Sequence, residues 1–193
     1  MTRSKISFCE HDDKAAMIGL SLSYGTIDPT SEGGMDLLRK VAKRLAGKGG
    51  GEDKFLEAIT IELDMTMPRY FWSEFDTYRV GMTKQSASTM HTLLRRGIEQ
   101  SDFAYNIPEE SLVTLNTLRE HCAKTGRKDV WKLKALLPEG FLQRRIIVTN
   151  YKTLSNIYHQ RKNHALPEWK SFCKIVGHLD YPWYITGVKD GQP

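Results

Sequence analysis

Cysteine is scarce in this 193-residue chain: Cys9, Cys122 and Cys173 stand far apart, with no C-x-x-C pair. That spacing excludes a disulfide framework and a zinc knuckle. Long apolar runs are absent too. None approaches the about 20 residues that cross a bilayer, and the start Met-Thr-Arg-Ser-Lys-Ile lacks a signal peptide's apolar stretch, so a cytoplasmic protein is expected. The six histidines form no metal motif; His159 and His164 are five apart, off one helical face, and H-E-x-x-H does not occur. Ser86 and Ser88 have no G-x-S-x-G elbow around them. Gly49-Gly50-Gly51 lacks the Lys-Ser or Lys-Thr that a phosphate loop would place after it, and reads as a flexible connection. Internal repeats and low-complexity segments are missing.

What remains is an ordinary globular composition, 40% hydrophobic and 26% charged, in a chain long enough for one cored domain over 1–193. The net charge of +5 favours anionic partners such as nucleotides or phosphates. The basic residues are spread over segments such as Leu37–Lys48 and Arg127–Lys134, without a tail, so a nucleic-acid partner is not expected. A solvated basic surface is the plainer explanation.

Lys5–Cys9 reads as a strand and Asp12–Ser23 as a helix with Ala15, Ala16, Ile18 and Leu20 inward. Met35, Leu38, Val41 and Leu45 mark the apolar face of a basic helix. Ala58–Met65 alternates with period two, a strand, and Pro68 opens a helix reaching about Tyr78. Helices are expected over Thr89–Ile98, from Pro108 to Gly126, and over Asp129–Leu137. Phe141–Thr149 is a second strand, after which Thr149 or Asn150 caps a helix carrying Tyr151, Leu154 and Ile157. Pro167 restarts the chain as a last helix with Trp169, Phe172, Cys173 and Val176. Few strands among many helices make an α+β protein.

Two segments concentrate polar chemistry. Glu74-Phe-Asp-Thr-Tyr-Arg-Val-Gly-Met-Thr-Lys-Gln-Ser-Ala-Ser-Thr-Met-His91 packs hydroxyls, a guanidinium, an ammonium and an amide behind the apolar Phe71-Trp72. That mixture suits a pocket for a planar anion. The plain alternative is a Ser/Thr-rich helix cap, which leaves Arg79, Lys84 and Gln85 unexplained. The second segment, Asn150–Arg161, offers Asn150, Lys152 and Arg161. The two cations could serve a ligand, stay solvated, or pair with Glu168 or Asp180.

These segments resemble the flavin-dependent thymidylate synthases, α+β homotetramers with a signature R-H-R-x-x-S-x-N-E-x-S-x-R-Y. The corresponding stretch here is Tyr78-Arg-Val-Gly-Met-Thr-Lys-Gln-Ser-Ala-Ser-Thr-Met-His91. Ser88 keeps the second serine, while Thr83 and Gln85 stand in for the first serine and the asparagine. Tyr78, Val80 and Met90 stand where the signature has arginines, and Arg79 where it has histidine. The family's strand followed by N-A-R-S-L and an arginine-bearing helix is similar to Asn150-Tyr-Lys152-Thr-Leu154 followed by Arg161. The order of elements matches over nearly the whole chain, and the wording also resembles a divergent set of phage and prophage proteins.

The resemblance implies a small mixed sheet with several packed helices, FAD as cofactor, a pyrimidine nucleotide of the dUMP type as ligand, and a homotetramer. Its ligand contacts would be Arg79, Thr83, Lys84, Gln85, Ser86, Ser88 and His91, with Glu74 as a new carboxylate and Asn150, Lys152 and Arg161 from the second segment. No catalytic residue is singled out. Two functions follow: a flavin-dependent enzyme acting on the nucleotide, or a binding protein that keeps the fold without flavin chemistry. The enzyme is the leading reading that the resemblance implies; loss of three signature arginines supports the alternative binder, since each removes a charge-assisted bond to phosphate.

Overall fold

The structure is a computed structural model and describes residues 2–126 and 128–187. Arg127, the first residue of one basic segment noted above, lies outside the described residues. In chain order the elements are β1 (Lys5–Glu10), α1 (Lys14–Tyr24), α2 (Gly34–Leu45), a 3-10 turn (Lys54–Ala58), β2 (Thr60–Pro68) and α3 (Arg69–Phe75). There follow β3 (Thr83–Ser86), α4 (Thr89–Thr92), a second 3-10 turn (Gln100–Asp102), α5 (Glu109–Lys124) and α6 (Val130–Leu136). The chain ends with β4 (Leu142–Asn150), α7 (Tyr151–Arg161), α8 (Pro167–Val176) and α9 (Pro182–Thr186).

The strands form one four-stranded sheet in the order β1-β2-β4-β3. It is antiparallel, where a mixed sheet was expected. The backbone bonds Arg69 N to Phe141 O and Tyr151 N to Ile59 O show why: both ends of the β2–β4 pair meet in opposed register. β2 obeys the two-residue alternation, burying Ile61, Leu63, Met65 and Met67. Its start moves to Thr60 because Lys54–Ala58 is taken up in the 3-10 turn. Among the described residues no helix is long and apolar enough to cross a membrane.

The chain divides into two compact units. Unit 1 comprises Met1–Ser7, Asp64–Thr77 and Lys84–Ile146. Its core gathers Leu93, Ile98, Phe103, Leu115, Cys122, Leu133 and Leu137, with α5 packed on α6. The helix expected over Thr89–Ile98 closes after one turn at Thr92, and Leu93 and Ile98 reach this core from irregular chain instead.

Unit 2 comprises Phe8–Leu63, Tyr78–Thr83 and Ile147–Pro193. There α7 packs against α8 and α9, burying Tyr151, Leu154, Ile157, Trp169, Phe172 and Tyr184. Asp13, fully buried, is matched by Arg39, which forks onto it at 3.0 and 2.9 Å. A buried carboxylate left alone would be costly, and this fork supplies the pairing it requires.

Candidate functional site

The loop Tyr78–Gly81 of unit 2 is held from three sides. Thr149 Oγ1 donates to Gly81 O at 2.9 Å, and Thr153 Oγ1 to Val80 O at 3.2 Å. The Tyr78 hydroxyl donates to Gln160 Oε1 at 3.0 Å and accepts from Arg161 Nε at 2.8 Å. Gly81 has φ +70, and a Cβ there would stand 2.4 Å from Thr153 Oγ1. Only glycine combines that left-handed backbone with so close an approach. Asn150 caps α7 as expected, accepting from Thr153 N at 2.9 Å. Its side-chain oxygen thus serves the helix end.

Both cations of the second segment have intramolecular occupations. Lys152 forms an ion pair with the buried Asp53, neither of the two carboxylates proposed from sequence. The Arg161 guanidinium lies over Trp169 at 4.7 Å and over Tyr78 at 5.6 Å, as well as donating to the Tyr78 hydroxyl. It acts through Tyr78 to hold the loop, so it is a positioning residue. Arg79 and Val80 point away from this clamp: both are exposed, Val80 at 87%, and Arg79 has no side-chain partner among the described residues.

In unit 1 the polar segment becomes edge strand β3 rather than a helix cap. Ser88 precedes α4 but its hydroxyl makes no capping bond. Lys84 is tied down: its ammonium donates to Asp76 Oδ1 and to Phe75 O, both at 3.2 Å. Asp76 also receives Arg145, whose Nη1 lies 2.8 and 2.9 Å from its two oxygens while the guanidinium covers Trp72 at 4.4 Å. Arg145 further donates to Gln143 Oε1 at 3.1 Å. Gln85, Ser86, Ser88 and His91 are exposed, and Glu74 is half-buried on α3. Thr83, exposed, belongs with Arg79, Asn150, Lys152 and Arg161 to unit 2, whereas the other expected contacts belong to unit 1.

Unit 1 also holds a cleft of about 420 Å³, which the sequence reading did not foresee. That is within the size range of small-ligand pockets. Its lining mixes apolar Leu93, Ile98 and Phe141 with polar Thr89, Thr92, Gln143, Arg95 and Arg144. Arg96 and Asp102 are paired at its edge, and Arg144 forks onto Asp64 at 2.8 and 2.6 Å. The Arg144 guanidinium holds the Asp64 carboxyl below its ordinary value. Arg95 is different. Its exposed guanidinium has no carboxylate partner among the described residues. The dipeptides Arg95-Arg96 and Arg144-Arg145 were the available signal, since consecutive strand residues such as 144 and 145 must face opposite ways. Among the described residues no cluster of His, Cys, Asp and Glu could hold a metal.

This chain, with its helices and its four-stranded antiparallel sheet, has a thymidylate-synthase-X-like fold. Two solved structures of flavin-dependent thymidylate synthase ThyX from Helicobacter pylori, both with FAD and dUMP, are similar to this chain. Their TM-scores are 0.77 and 0.75, at 15% and 16% identity, and each comparison covers 95% of this chain and 98% of the other. At that identity the likeness shows the fold alone. No model of a protein family matches the sequence, and no curated protein matches it.

Proposed function

We propose that this chain is a nucleotide-binding protein of thymidylate-synthase-like fold, holding a pyrimidine nucleoside monophosphate of the dUMP type in the cleft of unit 1. The observation that carries the reading is Arg95, whose guanidinium has no carboxylate partner among the described residues and which lines the cleft together with Leu93, Ile98 and Phe141. A flat base suits Leu93, Ile98 and Phe141, and the phosphate suits Arg95. The exposed Ser86, Ser88, Gln85 and His91 are proposed as further polar contacts. The dUMP bound by the similar ThyX structures supports the choice of nucleotide. Assembly as a homo-oligomer belongs to the same proposal.

Flavin chemistry is the second reading, favoured by the FAD of those structures. The side chains here do not fit a diphosphate in the polar segment. Tyr78 is engaged by Gln160 and Arg161, Val80 is apolar, and Lys84 and Arg145 already share Asp76. No step through flavin is derived for this chain.

Calorimetry with dUMP tests the first reading. Arg95→Ala should weaken binding by about 1.5–3 kcal/mol, the worth of a hydrogen bond to a charged group, or roughly 10- to 150-fold. Absence of heat from the parent protein at millimolar dUMP would sink it. Visible absorbance of the purified protein titrated with FAD separates the second reading: retained yellow colour supports flavin binding, and a colourless protein opposes it.

A further inference from the structure

The polar side chains that line the unit 1 cleft differ in what they have left to offer a ligand. Thr92 Oγ1 donates its one proton to Ser88 O at 2.9 Å. Gln143 Nε2 donates to Ala87 O at 2.9 Å, and its Oε1 accepts from Arg145 at 3.1 and 3.3 Å. Arg96 is paired with Asp102, and Arg144 with Asp64. Two groups remain. One is the exposed Arg95 guanidinium, without a carboxylate partner among the described residues. The other is the Thr89 hydroxyl, which has no hydrogen-bond partner among them.

Thr89 is unlike the hydroxyls near it in the chain. Ser86 and Ser88 are exposed, whereas Thr89 keeps 8% of its surface. The local chain explains the difference. Thr89 opens α4, and Leu93, four residues on, donates its N–H to Thr89 O at 3.2 Å, so the two side chains share one side of the turn. Leu93 is drawn into the unit 1 core and takes Thr89 inward with it. The hydroxyl is not sealed within the protein, and the open space that Thr89 lines is the cleft. Taking a hydroxyl this far from water is unfavourable unless something bonds it.

We propose that Thr89 selects the ring of the ligand, its hydroxyl bonding the polar edge of the pyrimidine while the phosphate stays outward at Arg95. The inference rests on the reading of this cleft as a nucleotide site and adds the group that recognises the base. Depth decides the orientation. A phosphate drawn in to Thr89 would give up its hydration beside the buried Leu93 and Ile98 for one neutral hydroxyl. At the exposed Arg95 it keeps water and gains a charge-assisted bond. A ring carbonyl or ring N–H has far less hydration to lose, and a hydroxyl can donate to the one or accept from the other. An apolar ring would leave the hydroxyl unmatched, and such a mismatch costs more than a matched bond gains.

The test is calorimetry on the full chain with two probes of equal shape and charge. One is dUMP; the other is the deoxynucleoside monophosphate whose uracil is replaced by difluorobenzene, a flat ring with no hydrogen-bonding edge. The parent should prefer dUMP by about fivefold or more, the effect of leaving a buried hydroxyl unmatched. Thr89→Val keeps the shape of the side chain without its hydroxyl and should cut that preference by about fivefold, chiefly through weaker dUMP binding. Thr89→Ser should retain it. Arg95→Ala should weaken both probes alike, because both carry the phosphate. Circular dichroism checks folding, and Thr89→Ala repeats the comparison where the valine variant does not fold. A hydroxyl-free variant with the parental preference would overturn the inference, while the nucleotide reading would still stand on Arg95→Ala. So would a loss shared equally by the two probes, which would make Thr89 a support of the cleft wall. A parent that takes up neither probe at millimolar concentration would sink the nucleotide reading and this inference together.

Discussion

The two units use the same residue types to opposite ends. In unit 2, Arg161 is spent on Tyr78 and Trp169, Lys152 on Asp53, and the Thr149 and Thr153 hydroxyls on the carbonyls of Val80 and Gly81. All of it but the Lys152–Asp53 pair holds a loop in place. In unit 1, Arg144 and Arg96 also have their carboxylates, but Arg95 faces the cleft without one. A guanidinium in a sequence is therefore no indicator of a ligand. What distinguishes Arg95, the cation proposed to bind, is the absence of a carboxylate partner among the described residues beside a cleft.

The largest expected effect comes from removing the floor of the unit 2 clamp. Trp169 is fully buried and carries Arg161 on its face. Trp169→Ala should cost about 3–5 kcal/mol of unfolding free energy, measured by urea denaturation. A loss below about 1 kcal/mol would mean that the clamp is a surface feature, and the contrast between the units would collapse. Gly81→Ala comes next. Left-handed backbone alone costs a non-glycine residue about 1–2 kcal/mol. At Gly81 the contact with Thr153 Oγ1 adds to that, whereas Gly25, at φ +53, has open space around its missing side chain. Gly81→Ala should thus destabilise more than Gly25→Ala; equal losses would show that the loop can lift from α7.

The unequal legibility of the two units has the same origin. β2 could be read because Ile61, Leu63, Met65 and Met67 alternate, and the Asn150 cap because capping is a local bond to Thr153 N. β3 was missed because Thr83-Lys-Gln-Ser86 has no apolar residue to mark a face. An edge strand needs only one partner and is safer when polar, so its burial signal is weak by design. The helix expected over Thr89–Ile98 stops at Thr92, and Leu93 and Ile98, five apart and so off one helical face, reach the core through turns. The resemblance carried the fold, but residue type could not show which cations were spent. Asp76 meets Arg145 across 69 positions and Lys152 meets Asp53 across 99, pairings that no local pattern encodes.

Arg79 sharpens the comparison from the other side, as the one cation of the unit 2 loop that points out of the clamp. It is exposed to solvent, where charge pairs are worth about 0.2–1 kcal/mol. Arg79→Ala should therefore lower dUMP affinity by no more than about fivefold and leave stability unchanged. A loss as large as that of Arg95→Ala in the same calorimetry would promote Arg79 to a principal phosphate contact. The division between clamp and cleft would then need redrawing.

The smallest effect concerns proton uptake on α7. Burial, and then the nearby charge of Lys162, lower the pKa of His159 below its ordinary value of 6.5. The folded chain thus binds that proton less readily than the unfolded chain does. Stability from this source is whole above the unfolded value and falls as the pH drops through about 6.5 toward the lower folded value. Because His159 is largely exposed, the loss should stay within about 0.5 kcal/mol. His159→Gln should flatten the stability profile between pH 7 and about pH 5, read by urea denaturation at each pH. A variant whose profile falls as steeply as the parent's would move the effect to another group. A profile rising toward acid would contradict the picture of a unit 2 surface that resists one more positive charge.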